Sequence, residues 1–308
     1  MNPAPTCYPR RTPPLFLIVA AVIALSACSA GPGDDDDSAA TAEYQANPEF
    51  SHPARYLFRE FDRASAADLA FVMRSLEASL ESTVDFDSEE LIDRSPAVDP
   101  LQADDIEGLE HPDADPGECL SVSLAARSDH AVDRHVTAAL QADQTPGDPS
   151  APSHHVRTFL DGTELCFADR SCAVLKVEDE LTRTNPLFDI TLTDRVDYRW
   201  LDLGLPDPSA VLQGSDAVNE GEPRWAIVSH SWLPERAADG DAAFEQAYSL
   251  GLWIPADASP AAALMRYSAS WTQTELGFPL DDTTMRQLAR GGINDAFDAQ
   301  ETWLETLP

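Results

Sequence analysis

A histidine between two serines is the first place in this sequence to look for catalysis. Ser229-His230-Ser231 lies in RWAIVSHSWLP, whose apolar residues and length predict a β-strand. Side chains alternate between the two faces of a strand, so His230 must point away from both serines. The pattern therefore argues against a serine nucleophile activated by this histidine.

The other paired histidines have spacings that suit a metal site poorly. His130 and His135 are five residues apart and do not share one face of a helix, and the adjacent His154 and His155 would point to opposite faces of a strand. These four side chains could bind a metal only if the tertiary structure brought them together. We expect solvated histidines and no metal site.

Sequence motifs of familiar enzyme classes are absent. The chain contains no G-x-S-x-G, no phosphate-binding glycine loop, no dinucleotide-binding glycine pattern and no H-E-x-x-H. Pairs of acidic residues are no evidence for a glycosidase, because with 54 acids almost any spacing can be found. We therefore expect no catalytic residues, no cofactor and no enzymatic activity; a hydrolase whose catalytic residues are dispersed along the chain is the alternative.

The N-terminus has the three parts of a secretory signal. Arg10 and Arg11 provide a positive start, LFLIVAAVIAL is an apolar run of eleven residues, and small residues follow it. A membrane-spanning helix needs about 17–25 apolar residues, so this run is too short to be one. Residues 1–27 are therefore predicted to be a signal peptide.

The residues Leu25-Ser26-Ala27-Cys28 resemble the lipobox of bacterial lipoproteins. The resemblance implies that Cys28 receives a diacylglycerol, that the signal is cut before it and that the new N-terminus is acylated. Two or more acyl chains anchor a protein stably, whereas one binds a membrane marginally. The alternative is an ordinary secretory signal with a chance cysteine. We expect export to the cell envelope, with the outer membrane favoured over the inner one because Ser29, not Asp, follows the cysteine.

Residues 28–42 are small, polar and acidic, and they include GPGDDDDSAATA. Such a segment cannot pack, and its charges repel and extend it, so it is predicted to be a flexible tether. A calcium loop is the weaker alternative, because contiguous aspartates lack spaced ligands and a turn glycine. The tether, together with VRTFLDGTELCFADRSCAVL and VDYRWLDL, resembles an uncharacterised family of delta-proteobacterial envelope lipoproteins. That resemblance implies a location and no chemistry.

The charge of the chain excludes one class of partner. Removal of residues 1–27 takes away two arginines and no acid, which leaves 18 basic and 54 acidic residues and a formal charge of −36. Such a surface repels nucleic acid and anionic headgroups. We expect no nucleic-acid partner.

The remaining cysteines predict one disulfide. Cys166 and Cys172 flank FADRS, a short polar turn between two apolar runs, and an exported protein meets oxidising conditions. We therefore predict a Cys166–Cys172 disulfide across a hairpin. Cys119 is expected to be a buried free thiol at the start of a strand; a zinc site is the weaker alternative.

Hydrophobic periodicity places the elements. Residues 43–117 are predicted to form a helical and irregular annex, with an amphipathic helix after Ser65. Residues 84–117 are expected to be an acidic surface excursion, with short helices around 88–93 as the alternative. From residue 118 the order is a strand, a helix at 129–143, about six further strands and a long C-terminal helix capped by Asp281 or Asp282. In the long strand at 188–200, Asp194 interrupts an apolar face. A bulge there is one explanation, and an acid facing an internal cavity is the other.

The last two strands alternate clearly. Tyr248, Leu250 and Leu252 share one face of their strand, and the next strand carries Tyr267 and Trp271 on one face. Its opposite face is a run of polar residues that we expect to be solvated: Arg266, Ser268, Ser270, Thr272 and Thr274. The mid-helix pair Gly291-Gly292 is expected to mark close packing or a kink.

These elements predict an α+β fold. A twisted antiparallel sheet of about six or seven strands would pack on the C-terminal helix, which would cover its apolar face, and residues 118–308 would form this domain. The element order resembles the helix-grip fold of START-like domains. A lipocalin-like barrel and an open α+β sandwich are the alternatives.

The resemblance implies a hydrophobic cavity and a lipid or another apolar ligand. Five of the six tryptophans fall in predicted strands, where they either fill the core or line such a cavity. The candidate ligand-binding residues are Tyr198, Trp200, Tyr267 and Trp271. The expected function is a membrane-anchored lipoprotein that binds a hydrophobic small molecule. The alternative is a structural lipoprotein with a solid core that meets another envelope protein.

Overall fold

The structure is a computed structural model. It describes residues 46–83, 96–185, 188–204, 223–256, 262–277 and 280–308. The predicted signal peptide, Cys28, the tether and any helix at 88–93 lie outside these residues. No helix in the described part is both long and apolar enough to cross a membrane.

The described residues form helices at both ends and strands between them. The α-helices are α1 (Pro48–Arg59), α2 (Ala66–Thr83), α3 (Val132–Ala139), α4 (Glu164–Phe167) and α5 (Asp282–Thr306). The strands are β1 (Leu120–Ser128), β2 (His155–Leu160), β3 (Val174–Asn185), β4 (Phe188–Asp202), β5 (Trp225–Trp232), β6 (Ala237–Asp239), β7 (Ala242–Pro255) and β8 (Leu264–Glu275).

The strands make one antiparallel sheet, which confirms the α+β prediction. The order is β1-β8-β7-β5-β4-β3-β2, and the short β6 pairs with β7. The count is eight rather than six or seven, because β6 is a three-residue strand without its own periodicity signal. The helix expected at 129–143 is shorter, Val132–Ala139, since residues 145–147 turn in a 3₁₀ helix toward β2.

The apolar face of the sheet is covered by the N-terminal helices, and the expectation that the C-terminal helix covers it is wrong. Phe58 of α1 lies edge-on to Tyr248 and Trp271, with ring centroids 6.0 and 5.7 Å apart. Leu69 and Leu76 of α2 are fully buried in the same cluster. Burial of these side chains, at about 1.5–3 kcal/mol for each large apolar residue, holds the annex on the sheet.

The segment that follows α2 also belongs to the core, as far as it is described. Val98, Leu101 and Ile106 are buried among the side chains of α1 and the sheet, and Nε1 of Trp271 donates to the carbonyl of Asp99 at 2.7 Å. The predicted surface excursion is therefore wrong for residues 96–106. The segment has few apolar residues, but they are enough to hold it against the core because Val98, Leu101 and Ile106 are all buried.

Helix α5 lies against the other face of the sheet. Asp281 caps it, because its carboxylate accepts from the backbone N–H of Thr284 at 3.0 Å. Phe297 packs on Leu124 and Ala126 of β1. The expected close packing at Gly291 and Gly292 is wrong, since no atom from outside the surrounding helix backbone lies within 4 Å of the position that a Cβ would occupy on either glycine.

The Cys166–Cys172 disulfide is present, although the loop around it is not a β-hairpin. Cys166 lies in the short helix α4, and the Cα atoms of the two cysteines are 5.3 Å apart. Cys119 is a buried free thiol one residue before β1, as expected. Burial raises the pKa of this thiol to about 12, so it is unreactive at neutral pH.

Reduction of the disulfide should cost a modest part of the stability. The closed loop is short, with a sequence separation of 6, and the chain-entropy relation assigns such a loop about 2 kcal/mol. We expect the Cys166→Ala/Cys172→Ala variant to lose about this much free energy of unfolding in urea, and dithiothreitol to affect only the parent protein. A loss of the same size in Cys119→Ala would contradict the assignment.

Candidate ligand-binding cavity

A cavity of about 700 Å³ lies between the sheet and α5. Its floor is the sheet face opposite the N-terminal helices, and its roof is α5. The volume falls in the range of about 300–1,000 Å³ that small-molecule sites occupy. The fold therefore leaves a space of ligand size between the sheet and the long C-terminal helix.

The floor of the cavity is rich in hydroxyl groups. Adjacent strands β5, β7 and β8 present Ser229, Ser231, Ser249, Ser268 and Ser270 to it. Ser231 and Ser249 are cross-strand partners whose hydroxyl oxygens lie 2.7 Å apart. The face of β8 that we expected to be solvated therefore lines the cavity, with its serines and threonines half-buried. Strand alternation correctly predicted that this face is polar. It did not predict that α5 would lie over it.

The roof of the cavity is apolar. Met285, Leu288, Ile293 and Phe297 of α5 line it, spaced three to five residues apart on one side of the helix. Gly292 lies among them and leaves open space where another residue would place a side chain. The cavity thus has an apolar wall facing a hydroxyl-bearing wall.

A charged network forms one end of the cavity. Arg157 of β2 makes two hydrogen bonds to Asp179 of β3, from Nε to Oδ1 at 2.8 Å and from Nη2 to Oδ2 at 2.6 Å. His155 bonds Asp148 through Nδ1 at 2.9 Å, and Arg183 donates to both oxygens of Asp148 at 3.0 Å. Each of these two carboxylates therefore has a basic partner.

The network fixes the charge states of its members. Burial alone would raise the pKa of Asp179, but Arg157 outweighs it and lowers that pKa to about 2. Burial would likewise raise the pKa of Asp148, and Arg183 and His155 hold it well below its usual range instead. Burial would lower the pKa of His155, whereas its two carboxylate neighbours raise it. Asp179 and Asp148 are therefore ionised at neutral pH.

Asp194 is the acid of this end that has no basic partner. It faces the cavity from β4, directly opposite Asp179, and no hydrogen bond or ion pair to its carboxyl exists within the described residues. Burial raises the pKa of Asp194 to about 7; the positive charge of Arg183 opposes this rise, and the like charge of Asp179 adds to it. The register of β4 continues regularly through Asp194, so the expected bulge is wrong and the cavity-facing acid is the explanation.

The pH dependence of stability should carry the signature of Asp194. Its folded pKa lies above the unfolded value of about 4, so stability falls as pH rises from about 4 to 7 and then levels off. Asp194→Asn removes this charge, and we expect it to unfold at a higher temperature than the parent at pH 8 and at a similar temperature at pH 4. An Asp189→Asn variant, at an exposed position of the same strand, is the control. Equal differences at both pH values would contradict the assignment.

Arg266 lies at another edge of the cavity. Its guanidinium carbon lies 3.9 Å from the ring centroid of Phe297, and its Nη1 is 3.5 Å from Oε1 of Glu301. Burial lowers the pKa of Arg266 to about 10, which still leaves it charged at neutral pH. This side chain fastens β8 to α5 and closes the cavity there.

The structure places the four candidate ligand-binding residues in different environments. Tyr198 lines the cavity, where its ring lies 5.3 Å from the guanidinium carbon of Arg157. Trp200 lies on the same face but packs in a neighbouring cluster, where its Nε1 donates to the carbonyl of Phe167. Tyr267 is among the residues that line the cavity, although its side chain, like that of Trp271, is buried in the cluster under the N-terminal helices. All four residues are aromatic and lie in strands, and these two properties do not show which side chains line the cavity and which fill the core.

Sequence reasoning missed the charged end of the cavity. Arg157, Asp179 and Asp194 form a row across three strands, as their registers show. These residues lie 15 to 37 positions apart in a chain with 54 acids, so their types and spacings gave no signal. The break in the apolar alternation at Asp194 was the one usable sign.

The histidines differ in their environments, and the expectation that they are solvated is wrong for two of them. His155 belongs to the charged end, and His135 is buried with its Nε2 2.9 Å from the hydroxyl of Ser128. Ser128 and His135 are both at most 3% exposed, and neither lines the cavity. A substrate in the cavity would therefore not contact this pair. His230 points away from Ser229 and Ser231, as strand alternation predicted.

Comparison with known proteins gives a fold likeness at low identity. No protein-family model matches the chain, and no curated protein does. A START superfamily protein from Mycobacterium smegmatis is 12% identical with a TM-score of 0.32, covering 60% of this chain and 97% of that one. The Zhui aromatase/cyclase from a Streptomyces species is 12% identical with a TM-score of 0.30, covering 60% and 91%. A Thermus thermophilus protein is 10% identical with a TM-score of 0.32, covering 60% and 96%.

Proposed function

We propose that this chain is an envelope lipoprotein, anchored through Cys28, whose folded domain binds a hydrophobic small molecule between the sheet and α5. The cavity of about 700 Å³ with its apolar roof carries the binding proposal. The anchor rests on the lipobox-like sequence and the tether that follows it. A structural lipoprotein with a solid core is disfavoured by that internal space.

The two walls of the cavity indicate an amphipathic ligand. The serine hydroxyls of the floor can donate to and accept from hydroxyl or carbonyl groups, while Leu288, Ile293 and Phe297 of the roof suit an apolar surface. A ligand that is apolar on one side and oxygenated on the other fits both walls. A purely hydrocarbon ligand would leave the floor hydroxyls without partners at a cost in affinity.

Acidic residues favour a neutral or cationic ligand over an anionic one. A second cavity adjoins the first and shares Leu120, Thr272 and Met285 with it. Carboxylates lie around this second cavity: Glu118, Asp241, Glu275 and Asp282. Together with the large negative charge of the chain, they repel fatty-acid and phosphate headgroups.

Native mass spectrometry tests the binding proposal. A Cys28→Ala variant, in which a cleavable non-lipoprotein secretory signal replaces residues 1–27 so that the cysteines oxidise on export, provides mature protein without an acyl chain. We expect a mass excess that disappears on denaturation and that matches a neutral or basic amphiphile. An apo mass, together with no binding of neutral oxygenated amphiphiles such as polyhydroxylated sterols, would overturn the proposal and favour the solid-core interaction protein.

Metabolic labelling tests the anchor separately. Cells fed a labelled fatty acid should incorporate it into the wild-type protein and not into Cys28→Ala, and the wild type should sediment with membranes. Ser29→Asp offers a test of the outer-membrane assignment by fractionation. Labelling of both forms, or of neither, would contradict lipidation at Cys28.

A further inference from the structure

Three metal-ligating side chains meet on the sheet face opposite the cavity. Asp197 of β4 and His230 of β5 are direct cross-strand partners, and Asp62 of the turn between α1 and α2 lies above them. The carboxylate oxygens and the imidazole nitrogen all lie within 4.8 Å of one another. The cluster therefore joins the N-terminal helices to the middle of the sheet.

The environment of His230 indicates that a ligand binds to this cluster. The residue is 2% exposed, and neither ring nitrogen has a hydrogen-bond partner in the described structure. Its Nε2 lies 3.8 Å from Oδ2 of Asp197, too far for a hydrogen bond. Buried imidazole nitrogens normally have hydrogen-bond partners. An imidazole nitrogen that has none and is directed at two carboxylates therefore indicates a cation between them.

The ring of His230 is held firmly in this orientation. It stacks on Phe61 with ring centroids 4.0 Å apart, and Trp232 lies edge-on at 5.1 Å. Phe61 is itself fully buried one residue before Asp62. A rigid apolar shell of this kind keeps the nitrogen directed at the cluster and limits access of water to it.

The donor set selects a class of ion. One imidazole and two carboxylates suit zinc and its first-row neighbours, whereas Ca²⁺ and Mg²⁺ prefer oxygen ligands alone. Zinc binds these donors at about 2.0–2.2 Å, which requires the three ligand atoms to approach one another by about 1 Å. Asp62 is exposed on a turn and can make this movement, and its exposure leaves a coordination position for water.

Two basic residues lie nearby and moderate the affinity. Nζ of Lys176 is 4.0 Å from Oδ2 of Asp197, on a side chain that is 41% exposed. Arg199 is directed at the carbonyl oxygens of Phe61 and Ala64.

We propose that Asp62, Asp197 and His230 form a site for a zinc-class dication, which fastens the N-terminal helices to the sheet. The pairs His130/His135 and His154/His155, from which the sequence predicted no metal site, take no part in it. The site is independent of the ligand cavity, since it lies on the other face of the sheet.

Cobalt titration tests the site directly. Full-length exported protein should bind one equivalent of Co²⁺ with visible d–d absorption, and Zn²⁺ should displace it. Because substitution of a residue that merely supports a metal ligand costs about 10–100-fold in metal affinity, Asp62→Asn should weaken binding at least about tenfold. Asp62 is exposed, so this variant is expected to fold normally, and its circular dichroism spectrum verifies that.

Controls separate the site from general binding to an acidic surface. His154→Gln changes a half-exposed histidine that bonds Glu180 and should bind Co²⁺ like the wild type, whereas His230→Gln should lose the absorption. Zn²⁺ should raise the unfolding temperature of the wild type and of His154→Gln, and not that of Asp62→Asn. Absence of d–d absorption in the wild type, or equal affinity in the wild type and Asp62→Asn, would overturn the proposal.

Discussion

Replacement of Gly292 by phenylalanine is expected to weaken ligand binding about tenfold to hundredfold, because rearranging an occupied cavity costs about 1–3 kcal/mol. Gly292 lines the cavity among the apolar residues of α5, and open space lies where a Cβ would be placed. A phenyl ring there occupies the volume that the ligand needs. The measurement is the affinity for a neutral amphiphile identified by native mass spectrometry.

Gly291→Phe is the matched control. Gly291 is the preceding residue of the same helix and also has no atom within 4 Å of its Cβ position, but it does not line the cavity. Both substitutions replace a glycine of α5 by the same residue, so helix propensity changes alike. We expect Gly291→Phe to bind like the parent. Equal losses in both variants would show that the ligand lies elsewhere or that α5 tolerates neither substitution.

Breaking the Arg157–Asp179 pair should cost about 3–5 kcal/mol of the free energy of unfolding, the usual penalty for leaving one buried charge uncompensated. The side chains of Arg157 and Asp179 are 4% and 5% exposed, and they share two hydrogen bonds. Arg157→Met removes the cation and leaves the carboxylate beside Asp194, with the imidazole of His155, 3.4 Å away, as its remaining basic neighbour. Urea denaturation of parent and variant gives the difference.

Two further variants decide whether the loss arises from the pair. Arg157→Met/Asp179→Leu removes both charges, and we expect it to recover much of the stability, because buried ion pairs can be replaced by apolar residues at little cost. Arg195→Met, in the half-exposed Arg195–Glu178 pair on the same sheet, should change stability by less than about 1 kcal/mol. A double variant that is no more stable than Arg157→Met would contradict this account.

Acid titration gives an independent signature of the same pair. The folded pKa of Asp179 is about 2, below its unfolded value, so the stability it contributes is present above about pH 4 and is lost as pH falls toward 2. Arg157→Met should flatten this part of the curve, since the carboxylate no longer has the cation that depresses its pKa.

The sequence alone determined the long strands, the C-terminal helix and the partition of the sheet faces. Alternation in β7 and β8 identified which residues share a face, because the side-chain period of a strand does not depend on its neighbours. It also placed His230 opposite Ser229 and Ser231. The pairing of Cys166 with Cys172 followed from their number and separation.

Only the tertiary structure decided what lies on each face. Periodicity gives the polarity of a face and not the element that covers it, so the N-terminal helices took the apolar face and α5 enclosed the serine-rich one. The same limit separates Tyr198, in the cavity, from Trp271, in the core. The Arg157–Asp179–Asp194 row and the Asp62–Asp197–His230 cluster exist because strand register and chain packing bring distant residues together, and neither is encoded in local spacing.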